Sequence, residues 1–175
     1  RTAYGLGLSA ARLTPLSRKP AMNESQRQTI VDLLRTSYNM EIETVANYLA
    51  NSIPLAGFKA KHIKDALAAD ITEELTHATQ LAQRIKVLEG RVPGSQELAM
   101  NQTSLQPPEN QLDVLSVIHG VIDAEEGAIE QYQKIIDACD GVDPVTEDLA
   151  TTLKGDEEEH RRLFKGFLAE MLADQ

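Results

Sequence analysis

The sequence has only one cysteine, Cys139, and no tryptophan among its 175 residues. One cysteine cannot form an intrachain disulfide or a CxxC redox or zinc motif, so a reducing compartment such as the cytoplasm is expected. Long apolar runs are missing as well, and none approaches the ~20 residues that a transmembrane helix requires. The sequence therefore predicts a protein that does not span a membrane.

Basic residues are also in short supply, with 17 Lys and Arg against 27 Asp and Glu and a net charge of −10. Nucleic acid is therefore not expected as a partner, because phosphate binding requires a basic face, whereas cations are attracted. The exception is the acid-free segment of residues 1–22, which contains Arg1, Arg12, Arg18 and Lys19. We interpret it as a basic, flexible N-terminal arm. The alternative is a targeting segment, which would place the protein in an organelle.

Residues 23–175 contain four long helical patterns and no convincing strand. The first helix opens at "NESQ", where Asn23 or Ser25 is expected to cap it, and it is broken at Pro54 and Gly57. The second covers about residues 59–89, the third begins at Val114 and is ended by Gly141 and Pro144, and the fourth covers about residues 145–172. Between the second and third helices, residues 91–112 contain three prolines. A segment of this length reaches roughly 70 Å, against ~46 Å for the second helix, so it can cross the whole length of a bundle. The pattern predicts an all-α four-helix bundle with one long crossover.

Charged residues interrupt the apolar stripe of each predicted helix. The first and third helices each carry one glutamate there, and the second and fourth each carry a Glu-x-x-His pair: Glu41, Glu125, Glu74 with His77, and Glu157 with His160. Four carboxylates and two imidazoles keep a charge of −2 even when both histidines are protonated, and like charges repel strongly in a bundle interior. The pattern therefore predicts a site for two divalent metal ions, iron or manganese.

Other residues compete with or support this set. Glu126 competes with Glu125, but it shares a face with other polar residues, and we expect Glu126, His62 and His119 to be exposed. The alternative is that all these charged side chains are solvated and that the protein is a metal-free helical interaction module. A single Glu-x-x-His is weak evidence, whereas two pairs on apolar stripes, each with a core glutamate upstream, favour the metal site.

Four further residues are candidates for contacts with the site. Tyr48 and Tyr132 each follow a predicted ligand glutamate by seven residues, so they are expected to hydrogen bond to site carboxylates or to donate an electron, with core packing as the alternative. Glu73 and Asp156 each precede a ligand glutamate and stand four residues before a ligand histidine. We expect these two acids to orient imidazole N–H groups.

The sequence resembles the bacterioferritins, within the ferritin-like superfamily, from about Leu33 to Leu172. The stretches "EIETVANY", "EELTHATQLAQRIKVLEG" and "DEEEH" look like the first, second and fourth helices of that family. The resemblance implies a ferritin-like bundle whose Fe(II) is oxidised with O2 or H2O2 and stored. It also implies the ligand roles: Glu41 and His77 hold one iron, Glu125 and His160 the other, and Glu74 and Glu157 bridge.

Departures from the family pattern refine these expectations. Leu75 stands where bacterioferritins have the methionine that binds haem, so no haem is expected. The chain ends 15 residues after His160, which predicts no fifth helix. The family also implies a homo-oligomer, a dimer or larger. The alternative is a rubrerythrin-like di-metal peroxidase or oxidase that does not store iron, although a rubredoxin-like cysteine cluster is missing and Ala128 replaces that family's extra glutamate.

Overall fold

The structure, a computed structural model, describes residues 22–173 as four α-helices and one 3-10 turn at Ser95–Glu97. The helices are α1 (Glu24–Ser52), α2 (Ala60–Val87), α3 (Val114–Cys139) and α4 (Pro144–Ala173). Within that range there is no strand, which confirms the all-α prediction. No helix of this part of the chain is long and apolar enough to cross a bilayer. The predicted basic arm lies outside the described residues, apart from Met22.

Local capping explains where two of the helices begin. The Asn23 side chain accepts a hydrogen bond from the Gln26 backbone N–H (2.9 Å), and the Gln26 side chain accepts one from the Asn23 backbone N–H (3.0 Å). This reciprocal pair satisfies two backbone donors that a helix start otherwise leaves unpaired. At the start of α4, Asp143 caps the Thr146 N–H (3.2 Å) and forms a salt bridge with Arg84 (2.7 Å), which ties α4 to the end of α2.

The end of α2 differs slightly from the prediction. The helix stops at Val87 instead of Glu89, because Glu89 takes a left-handed backbone conformation with φ of 58°. Gly90 then donates its N–H to the Ile85 carbonyl at 2.9 Å. A Cβ atom on Gly90 would lie 2.7 Å from the Val31 side chain, so the close approach of α1 requires glycine here.

The connection between α2 and α3, residues 88–113, runs along α1. Successive residues of the connection hydrogen bond to successive residues of α1 and of the turn after it. The pairs are Asn39 with Ala99 (3.0 Å), Glu43 with Gln102 (2.7 Å) and Ala56 with Gln111 (2.8 Å). The connection thus leaves the end of α2 and delivers the chain to the opposite end of the bundle, where α2 begins. Helices α2 and α3 are therefore parallel, as the length of the crossover predicts.

The bundle interior contains two separate apolar clusters. One includes Leu34, Ile85 and Ile135, and the other includes Leu67, Ile118 and Phe164. Full burial of a side chain of this size stabilises the fold by about 1.5–3 kcal/mol, so the two clusters hold the helices in register. The buried glutamates and histidines belong to neither cluster, and they come from mid-helix positions between the residues of the two.

Candidate metal centre

The structure brings the six predicted ligand residues together inside the bundle. Helix α1 contributes one, α2 two, α3 one and α4 two: Glu41, Glu74 and His77, Glu125, Glu157 and His160. None of them is more than 6% exposed. Each sits on the inward stripe of its helix, which is why the four helices deliver them to the same depth.

The six residues form two overlapping groups of potential metal ligands. The first is Glu41, Glu74, His77 and Glu157, and the second is Glu74, Glu125, Glu157 and His160. Within each group, one oxygen or nitrogen atom of every residue lies within 4.8 Å of the others. The two imidazole rings are 6.3 Å apart and almost parallel. The arrangement consists of two half-sites that share Glu74 and Glu157.

The two shared carboxylates are oriented to face both half-sites. His77 Nδ1 lies 3.1 Å from Oε1 of Glu157 and 3.4 Å from Oε2 of Glu74. His160 Nδ1 lies 3.2 Å from Oε2 of Glu157 and 3.5 Å from Oε1 of Glu74. Each shared carboxylate therefore turns one oxygen toward each imidazole, which is the orientation that bridging between two ions requires.

Burial and proximity shift the protonation of the other two glutamates and of both histidines. Burial, reinforced by the charge of Glu74, raises the pKa of Glu41 well above its usual value, and burial with the charge of Glu157 does the same for Glu125. Burial opposes charge on the histidines too, but the neighbouring carboxylates of Glu157 and Glu74 stabilise the protonated rings and raise the pKa of His77 to about 10 and that of His160 to about 12.

Glu74 and Glu157 shift in the opposite direction. Burial alone would raise the pKa of each, but close polar neighbours outweigh it. Glu41 and the two imidazoles lower the pKa of Glu74, and His160 and His77 lower the pKa of Glu157. Without metal, the centre thus approaches neutrality by keeping protons on its histidines and on its two unshared glutamates.

Several candidate ligand atoms of the centre lie in ion-pair contacts but make no well-oriented hydrogen bond among the described residues. They are both carboxylate oxygens of Glu74, Oε1 of Glu157 and Nδ1 of His77. An unsatisfied buried polar group costs about 1–3 kcal/mol, and more when it is charged. Carboxylate oxygens and imidazole nitrogens are donors that suit iron and manganese. The donor set and its unsatisfied atoms fit a pair of such ions.

The two tyrosines contact the unshared glutamates. The Tyr48 hydroxyl on α1 donates to Glu125 on α3, and the Tyr132 hydroxyl on α3 donates to Glu41 on α1. Both rings are almost fully buried. The structure therefore places both tyrosines against site carboxylates, and each helix of the α1/α3 pair positions the glutamate of the other.

Glu73 and Asp156 lie against imidazoles on the opposite helix, instead of the one four residues along their own helix. Glu73 Oε2 on α2 is 3.2 Å from Nε2 of His160 on α4. Asp156 Oδ2 on α4 is 3.4 Å from Nε2 of His77 on α2. The reason is packing: α2 and α4 are antiparallel, so the residue before each ligand glutamate faces the histidine across the helix pair.

The sequence interpretation missed Asp70. This aspartate is buried one turn before Glu74, with Oδ1 3.9 Å from Nε2 of His160, and burial raises its pKa to about 6. Its spacing of four residues from Glu74 on the inward stripe is the signal that could have revealed it. Among the residues expected to be exposed, His62, His119 and Glu126 are all at the surface, where Glu126 pairs with Arg161.

The family model for the Ferritin-like domain matches residues 31–172. This chain belongs to the ferritin-like family. The matched range includes all six residues of the centre, the whole of α2 and α3, and most of α1 and α4. A search of curated proteins finds no sequence that matches significantly.

Solved structures of ferritin-like proteins share the fold. A bacterioferritin-related protein from Bacteroides fragilis, described as a dodecameric thioferritin, is 23% identical with a TM-score of 0.77 over 84% of this chain and 88% of that one. A ferritin-like diiron-carboxylate protein of Bacillus anthracis is 19% identical, with a TM-score of 0.73 over 84% and 99%. A DPS protein of Vibrio cholerae is 17% identical, with a TM-score of 0.73 over 87% and 99%. The TM-scores show that this chain shares the fold of these proteins, and at identities this low the similarity shows the fold alone.

Proposed function

We propose that this protein is a di-iron ferroxidase that oxidises Fe(II) with O2 or H2O2 and serves iron detoxification and storage in the manner of bacterioferritins. The observation that carries the proposal is the pair of half-sites sharing Glu74 and Glu157, both buried and both with oxygens that make no well-oriented hydrogen bond. Membership of the ferritin-like family supports it. So does the name of the Bacillus anthracis protein, which includes the term diiron-carboxylate.

In this proposal each ligand has a defined role. Glu41 and His77 would hold one metal ion, Glu125 and His160 would hold the other, and Glu74 and Glu157 would be shared between them. Four carboxylates would balance the charge of two divalent ions, iron or manganese. Two Fe(II) would each give up one electron and become Fe(III), and these two electrons with two protons from water would reduce O2 to H2O2, or H2O2 to two waters.

Neighbouring side chains prepare the ligands for this task. Glu73 accepts a hydrogen bond from Nε2–H of His160 at 3.2 Å, and Asp156 lies 3.4 Å from Nε2 of His77 as an ion pair. The two acids hold each ring so that Nδ1, once deprotonated, would face the shared carboxylates. Tyr48 and Tyr132 fix the rotamers of Glu125 and Glu41. These contacts hold the ligands close to the arrangement that two ions require, which limits reorganisation when iron is oxidised.

We also propose that the protein is a homo-oligomer. The outer face of α1 and α2 contains an apolar groove that includes Tyr38, Ile42, Leu75 and Val87. Leu75 is 46% exposed and Val87 is 65% exposed, so the groove presents a contiguous apolar surface of the kind that marks protein–protein interfaces. The related protein of Bacteroides fragilis is described as a dodecamer.

The proposed activity is tested by the rate of Fe(II) oxidation. Metal-free protein is loaded anaerobically with two Fe(II) per chain, mixed with O2 or H2O2, and followed by the absorbance of Fe(III). We expect Glu74→Ala and His160→Ala to reduce the rate by more than about 100-fold, since even outer contacts of a metal site are worth 10- to 100-fold. The matched controls are Glu126→Ala and His119→Ala, which change the same residue types at the surface.

Wild-type rates in either site variant would contradict the proposal. Excess Fe(II) then separates storage from the rubrerythrin-like alternative. A storage protein retains many more than two irons per chain after size-exclusion chromatography, whereas a peroxidase or oxidase retains only the two of its centre.

A further inference from the structure

The end of the bundle where α1 leads into α2 exposes several large apolar side chains. Ile53 and Phe58, in the turn between these helices, are 72% and 98% exposed, and Leu112, just before α3, is 64% exposed. Phe58 is the most exposed large apolar side chain among residues 22–173. Single exposed apolar residues are common, but a cluster of them at one end of a protein marks a surface that another molecule covers.

The turn that carries Phe58 is held by specific contacts. The Ala56 N–H donates to the Gln111 carbonyl at 2.8 Å. Gly57 has φ of 97°, a left-handed conformation that favours glycine, and a Cβ atom there would lie 3.1 Å from the Leu112 side chain. The aromatic ring of Phe58 therefore projects into solvent from a fixed backbone position.

A hollow lies beside Phe58 on the same end of the bundle. It has a volume of about 520 Å³, and its apolar walls include Ile63 on α2 and Phe167 and Met171 near the end of α4. The Phe167 ring packs edge-on against the buried Phe164 ring, with 5.5 Å between the ring centroids, so the α4 wall is continuous with the core. One face thus presents both a projecting aromatic ring and a cavity with apolar walls.

Charges of both signs border this hollow. Lys61 and His62 border it on α2, and Glu170 borders it on α4. Lys61 already pairs with Asp65 at 2.6 Å, but the two side chains are 73% and 62% exposed. Exposed ion pairs contribute little to stability, so Lys61 can exchange this partner for another carboxylate.

A second copy of this chain is the occupant that these features fit. A two-fold contact is self-complementary, so the projecting ring of each copy meets the hollow of the other. It also brings the basic α2 rim of one copy against the acidic α4 rim of the other, because the two rims lie on opposite sides of the hollow. The basic segment of residues 1–22 fits less well. It would add positive charge beside Lys61, and α1 begins at the opposite end of the bundle, ~43 Å away along the 29 residues of this helix.

We propose that this end face, formed by Phe58, the hollow beside it and the charged rim of the hollow, binds the same face of a second copy. Phe58 of each copy fills the hollow of the other, and Lys61 of each copy pairs with Glu170 of the other. The inference goes beyond the proposed function, because the end face is separate from the groove on α1 and α2. A chain with two different faces that each bind another copy forms an assembly larger than a dimer.

The molar mass of the full chain in solution, measured by light scattering, tests the end face. We expect the wild type to exceed a dimer, Phe58→Glu to form dimers through the groove, and Phe58→Glu combined with Leu75→Glu to be a monomer of 19.2 kDa. Val145→Glu is the matched control, because it places the same charge at an apolar position that is 60% exposed at the opposite end of the bundle. It should keep the wild-type mass. Circular dichroism checks that every variant is folded.

Charge reversal tests the pairing between copies. Glu170→Lys and Lys61→Glu should each raise the concentration at which the end faces associate by at least about tenfold, because each places like charges against one another. An equimolar mixture of the two variants should regain the wild-type mass, since every contact between unlike chains then joins opposite charges. Recovery on mixing arises only from contacts between chains.

The possible results separate the end face from the proposed activity. Wild-type mass for Phe58→Glu would overturn the end face, as would a mixture of the charge variants that stays as small as each variant alone. Phe58 precedes Glu74 by 16 residues, ~24 Å along the helix, so Phe58→Glu should oxidise Fe(II) at the wild-type rate. Slow Fe(II) oxidation by the wild type would contradict the ferroxidase and leave the end face intact.

Discussion

His77 and His160 each present their two ring nitrogens to different partners. In both, Nδ1 faces the shared glutamates, while Nε2 faces an acid on the opposite helix, Asp156 or Glu73. Without metal, these carboxylates raise the pKa of His77 to about 10 and that of His160 to about 12. Protons therefore occupy the nitrogens that a metal would need, and metal binding has to displace them.

This competition predicts how the stability of the metal-free protein depends on pH. The folded pKa of each histidine lies above its unfolded value of about 6.5. The stabilisation is therefore fully present below about pH 6.5 and is lost as pH rises through about 10 for His77 and about 12 for His160. The free energy of unfolding, measured in urea under chelation at pH 6, 8 and 9.5, should therefore fall with pH. His77→Gln should weaken this slope, whereas the exposed control His119→Gln should keep it.

Proton release on metal binding is a second test of the raised pKa values in the centre. Up to four protons per chain should be released when two ions bind at pH 7, from the two histidines and from Glu41 and Glu125, whose pKa values are also raised. An unbuffered titration followed by pH electrode measures this release. Metal uptake without proton release, or metal-free stability that is flat between pH 6 and 9.5, would contradict the electrostatic description of the centre.

At the scale of single residues, the sequence predicts most members of the candidate centre. Each of the six residues interrupts an apolar stripe, and burial of a charged residue is visible from helical periodicity alone. The partners of Glu73 and Asp156 were not predictable in the same way. Which histidine each one faces depends on the packing of α2 against α4. The contact between Asp70 and His160 depends on the same packing, so it was not predictable from the sequence.

Among the elements, the crossover is the one whose structure the sequence leaves most open. Its length predicts that it spans the bundle, and the sequence pattern places the four helix starts within two residues of those observed. Its path along α1 depends on contacts between distant residues, such as Glu43 with Gln102. The crossover also packs on α3 at Gly120, where a Cβ atom would lie 2.6 Å from the Ser104 carbonyl oxygen.

We predict that Gly120→Ala destabilises the protein by about 1–3 kcal/mol, because the crossover backbone must move away from α3. The matched control is Gly155→Ala on α4, where a Cβ atom meets nothing within 4 Å. This control should stabilise the fold by about 0.5–1 kcal/mol, since alanine is a better helix former. Urea unfolding of both variants is the measurement. Equal stability of Gly120→Ala and wild type would show that the crossover does not pack as described.

On the scale of the whole molecule, the bundle contains a layer of buried glutamates and histidines between two apolar clusters. Replacing buried ion pairs with apolar residues often leaves a protein as stable or more so, so these charges are weak contributors to stability. Their presence at matching depth on four helices is therefore better explained by metal binding. The outer face of α1 and α2 is a second whole-molecule feature, because its apolar groove is suited to association with another copy.

If copies of the chain associate through this groove, a single charge placed in it should weaken the association. Leu75→Glu should reduce the molar mass of the particle measured by light scattering, because a buried carboxylate at an apolar interface costs several kcal/mol, roughly. Gln80→Glu, at an exposed position on the same helix and outside the groove, is the matched control and should keep the wild-type mass. An unchanged mass for Leu75→Glu would mean that the groove is not an oligomer interface.

The central claim, a di-iron centre inside the bundle, is tested most directly by anomalous diffraction at the iron edge. Crystals of metal-free protein would be soaked anaerobically in Fe(II) before data collection. We expect two peaks per chain about 3.5–4 Å apart, one beside Glu41 and His77 and the other beside Glu125 and His160, with Glu74 and Glu157 between them. Iron at the surface alone, with no peak among these six residues, would contradict the account.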